Sequence, residues 1–150
     1  MTIKKYTDSD AVNSAIAAEL RQFFSMLKRR LRDEGHTSDL SPGQSSALLR
    51  LEKEGPMTIS SLARAEGIRH QSMRTLVSAL QSKGLVRGTA DPEDGRQIII
   101  SLTDKCLSLL QEGRSARQDW LSRAVAQHLT GEEQRQVLAA IGLLQKLVEK

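Results

Sequence analysis

The stretch from Thr58 to Leu102 constrains the fold more than any other part of this chain. Its first part, Thr58–Ala65, has apolar residues on one edge of a short helix, which Glu66-Gly67 ends. Helical spacing returns from Ile68 to Leu80, and two segments with strand composition follow. The order helix, tight turn, helix, strand, hairpin, strand predicts a winged helix-turn-helix, mainly α with a small β-hairpin.

The second helix of this stretch has a polar face that lacks carboxylates. No Asp or Glu occurs between Ile68 and Val86, whereas an ordinary solvated helix face mixes both signs of charge. Donors and small hydroxyls suit base edges and phosphates, so the face predicts double-stranded DNA as a partner. A solvated face is the alternative. The candidate contacts are Arg69, His70, Gln71, Ser72, Arg74 and Thr75.

The hairpin carries a basic residue beside an acidic tip. Strands are expected at Leu85–Thr89 and Arg96–Leu102, with Ile98, Ile100 and Leu102 on one face. The turn-forming segment Asp91–Arg96 joins them. We expect Asp94 to orient Arg96 towards phosphate or a narrow minor groove, with Arg87 as a second anchor. The alternative is a solvent-exposed tip with a local ion pair.

Three segments resemble the MarR family of bacterial transcription regulators. They are Leu80–Val86, Asp91–Arg96 and Ile100–Thr103, and the most specific part is Asp94-Gly-Arg96 followed by a strand that ends in Leu-Thr. The resemblance implies that Arg96 is the wing arginine and that the segment from Arg69 to Thr75 leads the recognition helix. The chain departs from the family pattern at three dipeptides: Arg74-Thr75 stands where Thr-Arg is frequent, Ser78-Ala79 where Asp-Arg is frequent, and Gly88-Thr89 where paired arginines are common.

Long helices are expected on both sides of this unit. Three- and four-residue apolar spacing predicts a helix over Asp8–Arg32, and a loop follows at Asp33–Leu40. Ser41, Pro42 and Gln44 form a capping box for a helix to about Glu54 that buries Ala47, Leu48 and Leu51. After the hairpin, a helix from Thr103 to about His128 and a helix from Thr130 to about Glu149 complete the chain. Thr130-Gly-Glu-Glu133 is a second capping box.

The terminal helices predict a homodimer within a single domain, residues 1–150. Residues 8–32 and 103–149 are the expected dimerisation helices, and residues 41–102 are the winged helix-turn-helix lobe. Long amphipathic helices bury more apolar surface against a second copy, and a two-fold dimer is the commonest arrangement. A monomer whose helices close on themselves is the alternative. The expected interface residues are Val12, Ile16, Leu20, Leu121, Val137, Ile141, Leu144 and Val148.

Several other classes are disfavoured. No run of eighteen apolar residues exists and the N-terminus is polar, so we expect a cytoplasmic protein without membrane contact. A single cysteine, Cys106, excludes an internal disulfide and leaves a packing cysteine or a redox sensor. His36, His70 and His128 lack metal-ligand spacing. Without a phosphate-binding glycine loop or a nucleophile elbow, we expect neither an enzyme nor a cofactor.

These patterns predict a sequence-specific DNA-binding transcription regulator. The resemblance implies a homodimeric repressor on an inverted-repeat operator. It also implies a small aromatic or anionic effector between the dimerisation helices and the DNA-binding lobe, although no motif identifies the residues of that pocket. A winged-helix protein-interaction module and a non-specific architectural DNA binder are the alternative functions.

Overall fold

The computed structural model describes residues 8–35 and 39–150, and within them the chain forms six helices and a three-stranded antiparallel sheet. The mainly helical winged helix-turn-helix prediction is therefore confirmed. In chain order the elements are α1 (Asp8–Glu34), α2 (Pro42–Glu54), β1 (Met57–Thr58), α3 (Ile59–Glu66), α4 (His70–Ser82), β2 (Val86–Ala90), β3 (Ile98–Leu102), α5 (Asp104–His128) and α6 (Gly131–Gln145).

Hydroxyl side chains define where four of the helices begin. Ser41, Thr58, Thr103 and Thr130 each accept a backbone N–H from the first turn of α2, α3, α5 and α6, respectively. Both predicted capping boxes form, and each such cap stabilises a helix by about 1 kcal/mol. Gly67 ends α3 with φ 67°, a left-handed conformation that glycine adopts without steric cost.

The sheet has the strand order β1-β3-β2. β2 and β3 form the predicted hairpin, in which Val86 lies opposite Leu102 and Ala90 opposite Ile98. The third strand, β1, was not predicted, because two residues are too few to show strand alternation. Of the residues expected on one face of β3, Ile100 is fully buried, whereas Ile98 is 49% exposed because it pairs with Ala90 next to the hairpin tip.

The core lies in the winged helix-turn-helix lobe. Leu48 of α2, Leu62 of α3, Met73 and Leu80 of α4, and Ile100 of β3 are all fully buried and pack in one cluster. The first turns of α5 complete this cluster with Cys106 and Leu110. Residues 41–102 supply most of this core, which they share with the start of α5 and which fixes α4 and the hairpin in place.

The terminal helices extend beyond this core. α1 packs along α5, whereas α6 has no buried residue. Compared with prediction, α1 continues two residues further, to Glu34, and α6 ends four residues earlier, at Gln145. Residues 1–7 and 36–38 lie outside the described part of the chain. The second of these segments includes His36 and the middle of the predicted loop Asp33–Leu40. None of the helices in the described residues has the length and apolar character needed to cross a membrane.

Candidate nucleic-acid interface

Helix α4 presents the predicted polar face to solvent. Met73, Val77 and Leu80 are buried against the lobe, so the opposite side of the helix is turned outward. All six candidate side chains are exposed, with Arg69 and His70 at the start of the helix and the others along its first two turns: Arg69, His70, Gln71, Ser72, Arg74 and Thr75. The Thr75 hydroxyl donates to the carbonyl of Gln71 at 3.2 Å, which leaves its oxygen as an acceptor.

The N-terminus of α4 differs from that of the hydroxyl-capped helices. Its N-cap residue is Arg69, whose side chain makes no capping hydrogen bond. The first-turn N–H groups therefore keep their donor capacity, and the helix dipole adds a partial positive charge at this end. Arg69 and His70 add donor side chains at the same place. This end of α4 favours an anionic group such as a phosphate.

The hairpin tip is shaped by aspartate contacts to the backbone. Asp94 Oδ1 accepts the backbone N–H of Arg96 at 3.1 Å, and Asp91 Oδ1 accepts that of Glu93 at 2.9 Å. No ion pair recorded in residues 8–35 and 39–150 joins Asp94 to the Arg96 guanidinium. The Asp94 side chain thus contacts the backbone of Arg96, and its expected role in orienting the guanidinium stays a prediction. Arg87, Asp94 and Arg96 are all exposed.

A polar cluster that the sequence analysis missed joins α2 to the end of α3. Glu66 Oε1 accepts Arg50 Nε at 2.9 Å, and Glu66 Oε2 accepts the Ser46 hydroxyl at 2.9 Å. Arg50 also pairs with Glu54 at 2.8 Å. The hydrogen bond with Glu66 is the main cause of a raised pKa of the Arg50 guanidinium. In the sequence Glu66 is recognisable only as part of a helix stop, because its partners lie 16 and 20 residues away and give no periodic pattern.

Two arginines of α5 tie this helix to its neighbours. Arg114 donates from both terminal nitrogens to the Glu52 carboxylate of α2, and this hydrogen bonding lowers the pKa of Glu52. Arg117 Nε donates to the carbonyl of Leu31 in α1 at 3.1 Å. α5 is therefore joined to the winged helix-turn-helix lobe by a charged contact as well as by the shared core.

Cys106 lies in the first turn of α5 and is fully buried. Burial raises the pKa of its thiol, and the negative charge of Glu52 adds to the effect. Since the thiolate is the reactive form, both conditions disfavour a redox sensor. The structure favours the packing alternative for this residue.

The predicted dimer residues are not buried within one chain. Val12 and Ile16 of α1 are 52% and 49% exposed, and Val137 and Ile141 of α6 are 40% and 46% exposed. Leu20 and Leu121 are half-buried, Leu144 is 37% exposed, and Val148, just beyond α6, is 80% exposed. A single copy of the chain thus leaves these apolar side chains in water.

Comparison with known proteins places the chain in a family. A model described as MarR family matches residues 38–97. An uncharacterized HTH-type transcriptional regulator of Mycobacterium bovis is 35% identical over 143 residues, which cover 95% of this chain and 97% of the relative. The HTH-type transcriptional repressor MdtR of Bacillus subtilis is 25% identical over 128 residues, covering 85% of this chain and 82% of that protein.

A solved structure shows the same fold. The F27L mutant of MepR from Staphylococcus aureus, bound to an oligodeoxyribonucleotide, superposes with a TM-score of 0.73 at 20% identity, covering 89% of this chain and 98% of MepR. With the matching motifs and the near full-length similarity to the mycobacterial regulator, the assignment is clear. The chain belongs to the MarR family of winged helix-turn-helix transcription regulators, which bind DNA and are not enzymes.

Proposed function

We propose that this regulator binds a specific inverted-repeat operator as a homodimer and represses transcription from it. The observation that carries the proposal lies at the start of α4, where six side chains with donors or hydroxyls are exposed, no carboxylate is among them, and the helix N-terminus lacks a side-chain cap. A family member in complex with an oligodeoxyribonucleotide supports duplex DNA as the partner.

The proposed contacts divide between base edges and phosphates. Gln71 and Arg74 have the side chains that pair in bidentate fashion with adenine and guanine in the major groove. Arg69, His70, Ser72 and Thr75 are exposed at the same end of α4 and supply further base or phosphate contacts. Arg87 and Arg96 of the hairpin anchor the flanking backbone or minor groove, with Asp94 holding the turn that presents Arg96.

The homodimer is supported by the apolar side chains that one chain leaves exposed. Val137, Ile141 and Leu144 follow one line along α6, and Val148 continues it. Burial of such a stripe against a second copy contributes about 25 cal/mol for each Å² removed from water. A two-fold dimer then presents two α4 helices to half-sites about 10 bp apart, which accounts for an inverted repeat.

Repression by occlusion of a promoter is supported by the similarity to the repressor MdtR. We further propose that a small aromatic or anionic effector relieves repression by changing the spacing of the two lobes. Such an effector acts only through a difference in its affinity for the two spacings. The residues that bind it are not assigned.

The experiment that tests this function is selection of bound duplexes from a random pool by the purified protein, followed by affinity measurements at two salt concentrations. The proposal predicts recovery of an inverted repeat with half-sites about one helical turn apart, and affinity that falls steeply with salt. Binding without a recovered motif identifies the architectural alternative. Absence of DNA binding with or without added aromatic acids identifies a protein-interaction module.

A further inference from the structure

The Glu66 cluster (Ser46, Arg50, Glu54 and Glu66) lies outside the side chains assigned to DNA. Both oxygens of the Glu66 carboxylate are used, one by Ser46 and one by Arg50, each at 2.9 Å. The Glu66 side chain is only 14% exposed, so water screens these contacts less than it screens an ordinary surface pair. The last residue of α3 is thereby fixed to α2 at two points.

Local helix energetics do not account for a glutamate at this position. Glu66 is the last residue of α3, where the partial negative charge of the helix C-terminus disfavours a carboxylate. The compensating positive charge comes from Arg50, which belongs to another helix. A side chain that conflicts with local preference but satisfies a tertiary contact points to a role of that contact in the fold or the function.

The segment that follows Glu66 sets the start of α4. Only residues 67–69 separate Glu66 from His70, the first residue of α4. Two backbone bonds hold this turn: Gly67 N–H donates to the Arg64 carbonyl at 3.2 Å, and Ile68 N–H to that of Ala63 at 3.0 Å. Ile68 is 38% exposed and contributes little burial. The direction of the first turn of α4 is therefore set by the end of α3 on one side and by the fully buried Met73 on the other.

We infer that Glu66 is a positioning residue for operator recognition: held by Ser46 and Arg50 of α2, its carboxylate fixes the turn from which α4 enters the major groove. The inference rests on the proposed function, because the placement of α4 affects specificity only if this helix reads DNA. Base contacts are lost when a supporting residue allows a shift of about 1 Å. Phosphate attraction tolerates such a shift, so loss of Glu66 lowers specific binding more than non-specific binding.

The test uses the full-length variants Glu66→Ala and Glu66→Gln, with Glu54→Ala as the matched control. Glu54 pairs with the same arginine but lies within α2, so its removal leaves the link between α2 and α3 intact. Amide hydrogen exchange is measured on the free proteins, and dissociation constants are measured on the selected operator and on a scrambled duplex. Glu66→Gln keeps the shape of the side chain and serves if the alanine variant does not fold.

For Glu66→Ala we expect about tenfold faster exchange at Gly67 and Ile68, and an operator preference about tenfold lower. The glutamine variant should show the same changes in smaller degree, and Glu54→Ala should match the wild type. If Glu66 acted only through its charge, its removal would strengthen binding to the operator and to the scrambled duplex alike and would leave the operator preference unchanged.

Two results would overturn the inference. Wild-type exchange at Gly67 and Ile68 in both Glu66 variants would show that the carboxylate does not hold the turn. Faster exchange with an unchanged operator preference would show that the turn held by Glu66 does not affect operator recognition. If the wild-type protein binds neither duplex, the proposed function fails, and the exchange measurement still decides whether Glu66 positions α4.

Discussion

The candidate DNA contacts divide into side chains that can identify a base and side chains that neutralise phosphate. Gln71 on α4 has an amide that donates and accepts, as a base edge requires. Arg96 on the hairpin has a guanidinium that no ion pair engages among those recorded in the described residues. The two residues are therefore expected to contribute to binding in distinguishable ways.

Replacement of Arg96 by alanine should weaken binding to every duplex. It should reduce the slope of log affinity against log salt by about two, because each chain of the proposed dimer loses one phosphate contact. Sequence preference should change little. Affinity measured over a series of salt concentrations tests this, and an unchanged slope would remove Arg96 from the phosphate contacts.

Gln71→Ala is the matched comparison: it should relax preference at one position of each half-site and leave the slope intact. Uniform weakening across all sequences would make Gln71 a backbone contact.

At the scale of helices and strands, prediction from sequence succeeded where the signal is local. The four-residue capping boxes that begin at Ser41 and Thr130 predict the starts of α2 and α6, and both form in the structure. β1 was missed because its pairing with β3 joins residues more than forty positions apart. The Glu66 and Arg114 contacts were missed for the same reason: their partners are set by tertiary packing and have no fixed spacing in the sequence.

The crossing of α1 and α5 depends on a glycine whose role the sequence did not reveal. A Cβ atom on Gly113 would lie 2.6 Å from the backbone carbonyl oxygen of Gly35. Helix propensity alone predicts that Gly113→Ala stabilises the protein by about 1 kcal/mol. The clash with backbone reverses the sign, and we expect destabilisation of about 1–3 kcal/mol in chemical denaturation. Ser115→Ala, on the exposed side of α5, is the control and should be close to neutral. A stabilised Gly113→Ala variant would contradict this tight crossing.

The contact between Arg114 and Glu52 gives the junction of α2 and α5 a dependence on pH. Hydrogen bonding to Arg114 holds the pKa of Glu52 below its ordinary value of 4.5, so the unfolded chain binds a proton more readily than the folded one. The stabilisation is therefore complete above pH 4.5 and is lost as the pH falls through the lowered pKa of the folded state.

Glu52→Gln removes the titrating group. The difference in unfolding free energy between wild type and this variant should be largest near neutral pH and should narrow under acid conditions. Denaturation curves at a series of pH values measure it. Parallel stability profiles of the two proteins across the acid range would show that the Glu52 carboxylate is not held by Arg114.

For the whole molecule, the feature that most favours a second copy of the chain is the apolar surface that α1 and α6 leave exposed outside the core. Ile141 is 46% exposed in one chain and lies on the stripe of the proposed interface. A lysine there should convert the proposed dimer to a monomer in analytical ultracentrifugation, because a desolvated charge opposes association. Ala139, on the opposite side of α6, provides the control, and Ala139→Lys should remain dimeric. A dimeric Ile141→Lys protein would move the interface elsewhere.

The fold and the position of α4 were predictable because they follow from local periodicity, caps and turn residues. The geometry of the proposed dimer was not, since the exposed apolar side chains of α1 and α6 favour a second copy but leave its position open. That geometry decides whether two α4 helices contact the same face of a duplex. The spacing of the half-sites in the operator is therefore a measure of it.

Two-fold recognition of one face of the duplex is tested most directly by two affinities. One is for the selected operator, and the other is for the same operator with about five extra base pairs between its half-sites. Half a helical turn places the second half-site on the opposite face of the duplex. A dimer with two fixed α4 helices should then bind the lengthened duplex no better than a scrambled one. Equal affinity for the two operators would contradict two-fold recognition and would leave one chain acting on one half-site.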